Sequence, residues 1–258
     1  MAKKAQELSV KLFYPEAINE PEQLKHFYSL AADIAIVASY GQILSSELLS
    51  IPRFGFLNLH PSLLPRWRGA APIARAIMAG DKVTGVCTIR MVKELDAGPI
   101  LAQETVPINS EDTSQSLSRL LSQIGASQIL LTLDSIPKVS TVPQSNLGVT
   151  YANKIRKEET RINWKLPAEV LDRLIRGISP SPGAWCTLDG ARVKILESRV
   201  FDSHGHPGNR LNIDEESKSL IIACGKGAIL VSCLQREGKK PVSGKEFLQG
   251  FRGKINFG

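Results

Sequence analysis

The stretch GFLNLHPSLLPRWRGAAPI, residues 55–73, changes character part-way along. GFLNLHP is a short apolar run bounded by glycine and proline, which reads as a strand. A loop of Pro, Arg and Gly follows, closed by Pro72, whose fixed φ suits the first turn of a helix. Ile73, Ile77 and Gly80 then outline a short helix with a glycine stop.

On the amino-terminal side, DIAIVASYG (33–41) is an almost unbroken apolar run rich in β-branched residues, as in a parallel strand covered on both faces. LSVKLFYP (8–15) reads as a shorter strand ending at a proline. On the carboxyl side, TGVCTIRMV (84–92) and ILAQETVPI (100–108) are two further strands separated by KELDAGP. SEDTS supplies capping oxygens, and Leu117, Leu120, Leu121, Ile124 and Leu131 recur at helical spacing to about Leu133. Strands interleaved with helices predict an α/β unit with a mostly parallel sheet.

PKVSTVPQSNLGVT (137–150) has prolines, a glycine and no periodicity, and is expected to be a linker. Beyond it, Leu171, Leu174, Ile175 and Ile178 mark a helix stopped by SPSPG. AWCTLDG, RVKILESRV, SLIIACG and AILVSCLQ follow as short strands with glycine turns, and SGKEFLQGFR closes the chain as a helix. Such strands suggest a small β-barrel. The expected organisation is an α/β unit over 1–136, a linker over 137–150 and a smaller barrel over 151–258.

At 258 residues the chain can bury two cores. It has no apolar stretch long enough to span a bilayer, and MAKKAQELS lacks the apolar core of a secretory signal, so a cytoplasmic protein without membrane contact is expected. Cys87, Cys186, Cys224 and Cys233 show no C-x-x-C spacing and read as reduced core thiols. The net charge of +7 is unevenly placed: residues 1–150 carry 13 Lys+Arg against 13 Asp+Glu, and residues 151–258 carry 19 against 12. That excess fits a polyanion partner, and it also fits a merely soluble basic surface.

Residues i and i+2 of a strand face the same side, so Asn58 and His60 project together from the carboxyl end of theirs, the edge at which open α/β sheets bind ligands. An amide there can donate to an oxygen that becomes negative, and an imidazole can carry protons near neutral pH. Asp96, in the loop after the next strand, is placed to orient the ring. The same residues also fit a strand-end cap, a histidine satisfied by backbone, and an Asx-turn. The His204-Gly-His206 pair lacks a third ligand, and no metal is expected.

LNLHPSLLPRWRGAAPI, with GDKVTGV and LDAGPI, closely resembles the 10-formyltetrahydrofolate-dependent formyltransferases, and the W-R-G-A-A-P-I context narrows the resemblance to those acting on methionyl-tRNA. VTYANKIRKEETRINW, IRGISPSPGAW and LQREGKKPVSGKEF are similar to the carboxy-terminal domain of the same family. The resemblance implies a Rossmann-like formyltransferase fold followed by an OB-like barrel. Its catalytic set falls on Asn58, His60 and Asp96: Asn58 and a protonated or donor-competent His60 would stabilise the developing oxyanion, Asp96 would hold the ring and favour its cationic form, and the group that takes the amine proton is left open. The donor is 10-formyltetrahydrofolate, no metal is required, and the acceptor is initiator methionyl-tRNA bound by a monomer.

In the same way Ser62, Leu63, Leu64 and Pro65 correspond to the family's folate-contacting S-L-L-P, while the backbone around Tyr40 and Gly41, with the loop from Val92 to Asp96, would wall the pterin pocket. Core packing is the competing reading for Leu63 and Leu64. Arg66 and Arg68, flanking Trp67, either meet the tRNA acceptor end or belong to a solvated loop. Lys239 and Lys240 are the candidate contacts to the tRNA backbone, with an exposed turn as the alternative. A sugar-nucleotide or purine-pathway formyltransferase shares N-x-H and L-D-x-G, and a non-catalytic RNA binder is a third class.

The sequence departs from the family at its start. The opening strand with G-T-P-x-F-A, and the helix, second strand and basic loop behind it, are not among these residues. The expectation is a chain shortened by roughly a fifth, leaving the edge of the 33–41 strand unpaired.

Overall fold

The computed structural model describes residues 2–136, 138, 140–211, 219–251 and 257–258. Residues 137 and 139 of the expected linker, and Met1, 212–218 and 252–256 of the two flanking units, lie outside that set.

The first unit runs α1 (Ala2–Glu7), α2 (Pro21–Ser29), β1 (Ala35–Val37), α3 (Ser46–Leu49), β2 (Phe56–His60), α4 (Pro72–Ala79), β3 (Val83–Arg90), β4 (Ile100–Pro107) and α5 (Ser114–Ser135). Its sheet has the order β1-β2-β3-β4. β1 and β2 are parallel, with Val37 opposite Asn58. From there the sheet turns antiparallel, His60 facing Cys87 across β2–β3 and Cys87 facing Gln103 across β3–β4. The sheet is therefore mixed, and the parallel character expected of it rests on the β1–β2 pair among the described strands. β3 and β4 are joined by a short loop that reverses the chain, which antiparallel neighbours require.

No ladder forms over 8–15, where a strand was expected. Leu8, Val10, Phe13 and Tyr14 are exposed there. A strand exists only by pairing, and among the described residues β1 pairs on one side alone, with β2. β1 is thus the unpaired edge anticipated for this strand, and its Ile36 is 46% exposed.

Behind the sheet, α5 starts at a Thr113 cap whose hydroxyl accepts from Ser116 N. Its Leu117 and Leu121 pack with Val86 and Val106. Thr88 and Gln128, both buried, bond each other at 2.7 Å. α4 ends on Gly80 at φ 81, the left-handed stop that glycine supplies without strain.

The second unit comprises α6 (Ala168–Ile178), β5 (Ala184–Leu188), β6 (Ala191–Phe201), β7 (Arg210–Leu211), β8 (Leu220–Ala223), β9 (Ala228–Arg236), β10 (Val242–Ser243) and α7 (Gly244–Gly250). Its strands form one antiparallel sheet, β5-β6-β9-β8-β7, with β10 also on β9. Long β9 serves three partners by curling, and the β6–β9 register shifts around Glu197 mark the bend. The curled sheet closes on the apolar face of α6 (Leu171, Ile175, Ile178) and on Trp164, Ile195, Ile222 and Ile229. Asp189 at φ 51 and Gly190 at φ 77 make the tight β5–β6 turn.

The two units touch where α4 meets α6. A Cβ on Gly177 would lie 2.7 Å from Met78 Cγ, so glycine permits that approach. Arg176 bonds Asp172 within α6 at 2.8 Å and reaches the Asp112 carbonyl of the first unit at 2.9 Å. The four cysteines are unpaired, and burial pushes the Cys186 thiol up to about 12, which makes it inert. Among the described residues no helix is long and apolar enough to cross a membrane.

Candidate active site

β2 delivers Asn58 and His60 to its carboxyl end two residues apart, and a tight turn at Ser62, whose N–H donates to the His60 carbonyl at 2.9 Å, sends the chain away from the sheet. The loop then wraps back. Trp67, at φ 67, sets its carbonyl oxygen 2.8 Å from His60 Nε2. A carbonyl only accepts, so Nε2 carries the hydrogen and Nδ1 is the ring atom left to take a proton.

Asp96 closes the group from the β3–β4 loop, in the left-handed region at φ 49. Its Oδ1 accepts from the Asn58 amide at 3.3 Å. Its Oδ2 accepts from the Gly69 N–H at 2.8 Å and stands 3.5 Å from His60 Nδ1. The three side chains anticipated from the sequence thus converge. His60 is only 3% exposed. Burial holds its ring below the ordinary 6.5, against the opposing pull of the Asp96 charge and the Trp67 carbonyl. The Asp96 charge acts in the direction expected of it, toward the imidazolium, and desolvation outweighs it. Burial thus favours the neutral ring.

The arrangement offers chemistry of a definite kind. The carboxamide of Asn58 has two hydrogens and gives one to Asp96, leaving the other for an oxygen that gains charge. A neutral imidazole beside a carboxylate can accept a proton and hold it.

The remaining expected site residues divide between surface and interior. Ser62 is fully buried and its hydroxyl donates to the Arg66 carbonyl at 2.7 Å. Leu64 is buried with Cys87 and Ile89, and Leu63 lies against Gly85, where a Cβ would meet its Cδ2 at 2.5 Å. Pro65 follows Leu64 through a cis bond. For the two leucines, packing is what the structure displays. Tyr40, 45% exposed, and Gly41, with open space where a Cβ would stand, lie just beyond β1 at the edge that carries Asn58 and His60. Val92 and Leu95 expose apolar surface on the Asp96 loop.

Neither arginine of the loop stands free. Arg66 forms a two-pronged pair with Asp81 at 2.7 and 2.8 Å and stacks 4.2 Å over the Trp67 ring, whose Nε1 donates to the same carboxylate. Burial alone would raise the Asp81 carboxyl, but the hydrogen bonds from Arg66 and Trp67 prevail and hold it below its usual value. Arg68 gives Nε and Nη2 to Gln144 Oε1 at 3.0 and 2.7 Å. Both arginines are thus held by intramolecular partners, Asp81 and Gln144. Lys239 and Lys240 are exposed and line a cavity of about 320 Å³ with Phe247 and Phe251. The His206 ring meets the neighbouring Pro207 carbonyl, at 3.2 Å. Among the described residues no three His, Cys, Asp or Glu gather as metal ligands do.

The expected linker carries site contacts that its sequence does not advertise. Val142 bonds Ile100 in both directions at 2.8 Å, Thr150 Oγ1 accepts from Trp67 N at 2.9 Å, and Gln144 reaches the Asp96 loop. A glutamine after a proline in an aperiodic segment gives no signal that singles it out.

Comparisons with known proteins bear on the family and the fold. The family model described as formyl transferase matches residues 2–133, and that described as formyl transferase, C-terminal domain, matches residues 154–252. The chain is 47% identical over 248 residues to the methionyl-tRNA formyltransferase of Cereibacter sphaeroides (strain ATCC 17023), covering 96% of this chain and 80% of that one. It is 48% identical over 246 residues to that of Paracoccus denitrificans, covering 95% and 80%. In fold it is similar to an N-formyltransferase from Helicobacter canadensis solved with folinic acid and dTDP-3-aminofucose (TM-score 0.70, 20% identity, 92% of this chain and 82% of that one). It is also similar to HypX from Aquifex aeolicus solved with tetrahydrofolic acid (TM-score 0.69, 21% identity, 92% and 44%).

Proposed function

Since the chain belongs to the methionyl-tRNA formyltransferase family, we propose that it moves a formyl group from 10-formyltetrahydrofolate to the α-amine of initiator methionyl-tRNA, with Asn58, His60 and Asp96 as the reacting centre. The observation that carries the reading is the convergence of these three side chains, 3.3 and 3.5 Å apart through Asp96, at the carboxyl end of β2.

The amine nitrogen bonds to the formyl carbon while the carbonyl π pair moves onto oxygen. Collapse then breaks the bond to N10 of the folate, and N10 takes up the proton that the amine sheds. The free Asn58 N–H meets the developing oxyanion, a contact worth about 3 kcal/mol in such sites. His60, neutral at rest, accepts the amine proton at Nδ1, and Asp96 stabilises the imidazolium until the proton passes on. The exposed apolar surfaces of Tyr40, Val92 and Leu95 at this rim suit an aromatic heterocycle. The charge excess of residues 151–258 suits the tRNA backbone, with Lys239 and Lys240 as contacts.

The protein is incubated with 10-formyltetrahydrofolate and either methionyl-tRNA or an amino-sugar nucleotide. Formyl is expected on the tRNA alone, and Asn58→Ala and His60→Ala are expected to lower kcat by about a hundredfold or more while remaining folded. Formyl on the sugar nucleotide, or a His60→Ala rate close to that of the parent, overturns the reading.

A further inference from the structure

We propose that Gln144 is a positioning residue for formyl transfer: by binding the backbone carbonyls of Asp96 and Gly98 while Arg68 holds its own oxygen, it fixes where the Asp96 carboxylate stands. This rests on the function proposed above and extends it to a residue of the connecting segment.

Asp96 sits in the left-handed region, which is unfavourable for a non-glycine residue and so must be imposed by its surroundings. Gln144 supplies the restraint. Its Nε2 donates to the Asp96 carbonyl and to the Gly98 carbonyl, each at 2.7 Å, so both amide hydrogens are used. Its Oε1 accepts twice from Arg68. The amide therefore has one orientation. Reversed, it would set its NH2 against a guanidinium and its oxygen against two carbonyl oxygens.

The anchors of this clamp are themselves held. Val142, two residues before Gln144, is tied to Ile100 by two backbone hydrogen bonds at 2.8 Å. Arg68 donates its N–H to Thr150 O at 2.9 Å and accepts at its carbonyl from Ala152 N at 2.6 Å. The next residue, Gly69, donates to Asp96 Oδ2. Two segments bonded to each other thus grip Asp96, the connecting segment its backbone through Gln144 and the loop after β2 its carboxylate through Gly69. On its other side the loop runs close against β3, where a Cβ at Gly98 would lie 1.7 Å from the Arg90 carbonyl oxygen, so only glycine fits there. Displacing a reacting group by about 1 Å can cost a hundredfold in rate.

The test compares the parent with Gln144→Glu, which keeps shape and an Arg68 partner but offers no donor, and with Gln144→Met, which removes the donors without adding charge. For both we expect kcat to fall at least tenfold, KM for the folate donor to stay within twofold, and the ¹⁵N resonances of the His60 ring, assigned by their loss in His60→Ala, to move. A kcat within twofold of the parent in either folded variant, a loss expressed in KM, or unmoved His60 resonances overturns the assignment. Should the parent itself transfer no formyl, the functional reading fails, and the ring resonances still decide the role of Gln144.

Discussion

At the scale of the residue, the site works by opposition. His60 is surrounded by groups that would charge it and buried deeply enough that the neutral ring is favoured. Its depressed pKa has a consequence for stability. The unfolded chain takes up a proton near 6.5, while the folded ring resists it, so between that value and the lower folded one the unfolded state binds more protons. The stabilisation is complete above 6.5 and is lost as pH falls below it. Urea midpoints at about pH 7.5 and about pH 5.5 are expected to differ more in the parent than in His60→Gln. An equal difference in both would show that the ring is not held neutral by folding. Asn58 and His60 were legible in the sequence because the two-residue period of a strand is local. Gln144 was not, since its partners lie 46, 48 and 76 residues away, and aperiodic chain carries no record of what it will touch.

Among the elements, α4 and the 3-10 turn Lys157–Thr160 are tied by Arg75, whose guanidinium meets Glu159 at 2.6 and 3.0 Å across the two units. The Arg75 hydrogen bonds, with help from the Arg156 backbone and against some burial cost, pull the Glu159 carboxyl down to about 2. A depressed carboxyl contributes stability above its unfolded value of 4.5 that disappears as pH falls toward about 2. For this partly exposed pair the contribution is about 1 kcal/mol. Glu159→Gln is expected to lower the urea midpoint at neutral pH and to match the parent near the acid limit; the same deficit at both pH values would assign the loss to packing instead. Most elements followed from apolar period and capping: β2, β3, β4, α5 and α6 stand where the pattern put them. The strand expected over 8–15 did not form, because apolar alternation states a capacity to pair and the partner must come from elsewhere in the fold. α2, whose Leu24 packs with Leu44, Leu48 and Phe56, has too few apolar positions to announce itself.

Over the whole molecule, charge and chemistry are separated. The α/β unit is electrically balanced and holds the proposed reacting centre, while the curled antiparallel unit carries the positive excess. If Lys239 and Lys240 contact tRNA phosphates, the slope of log affinity against log salt should become shallower by about 1 for each lysine replaced with alanine. Filter binding over a range of salt measures it, and an unchanged slope removes these lysines from the interface. By itself the sequence determined the α/β class, the short glycine-turned strands of the second part, the family, and the pairing of an amide with an imidazole on one strand face, because each depends on neighbours within a few residues or on a motif. Only the tertiary structure decided that Asp96 reaches both of them, that Arg66 and Arg68 turn to Asp81 and Gln144, and that the connecting segment forms part of the site. Those outcomes depend on which distant groups are left to satisfy a buried donor or acceptor, and that is settled only when the chain closes on itself.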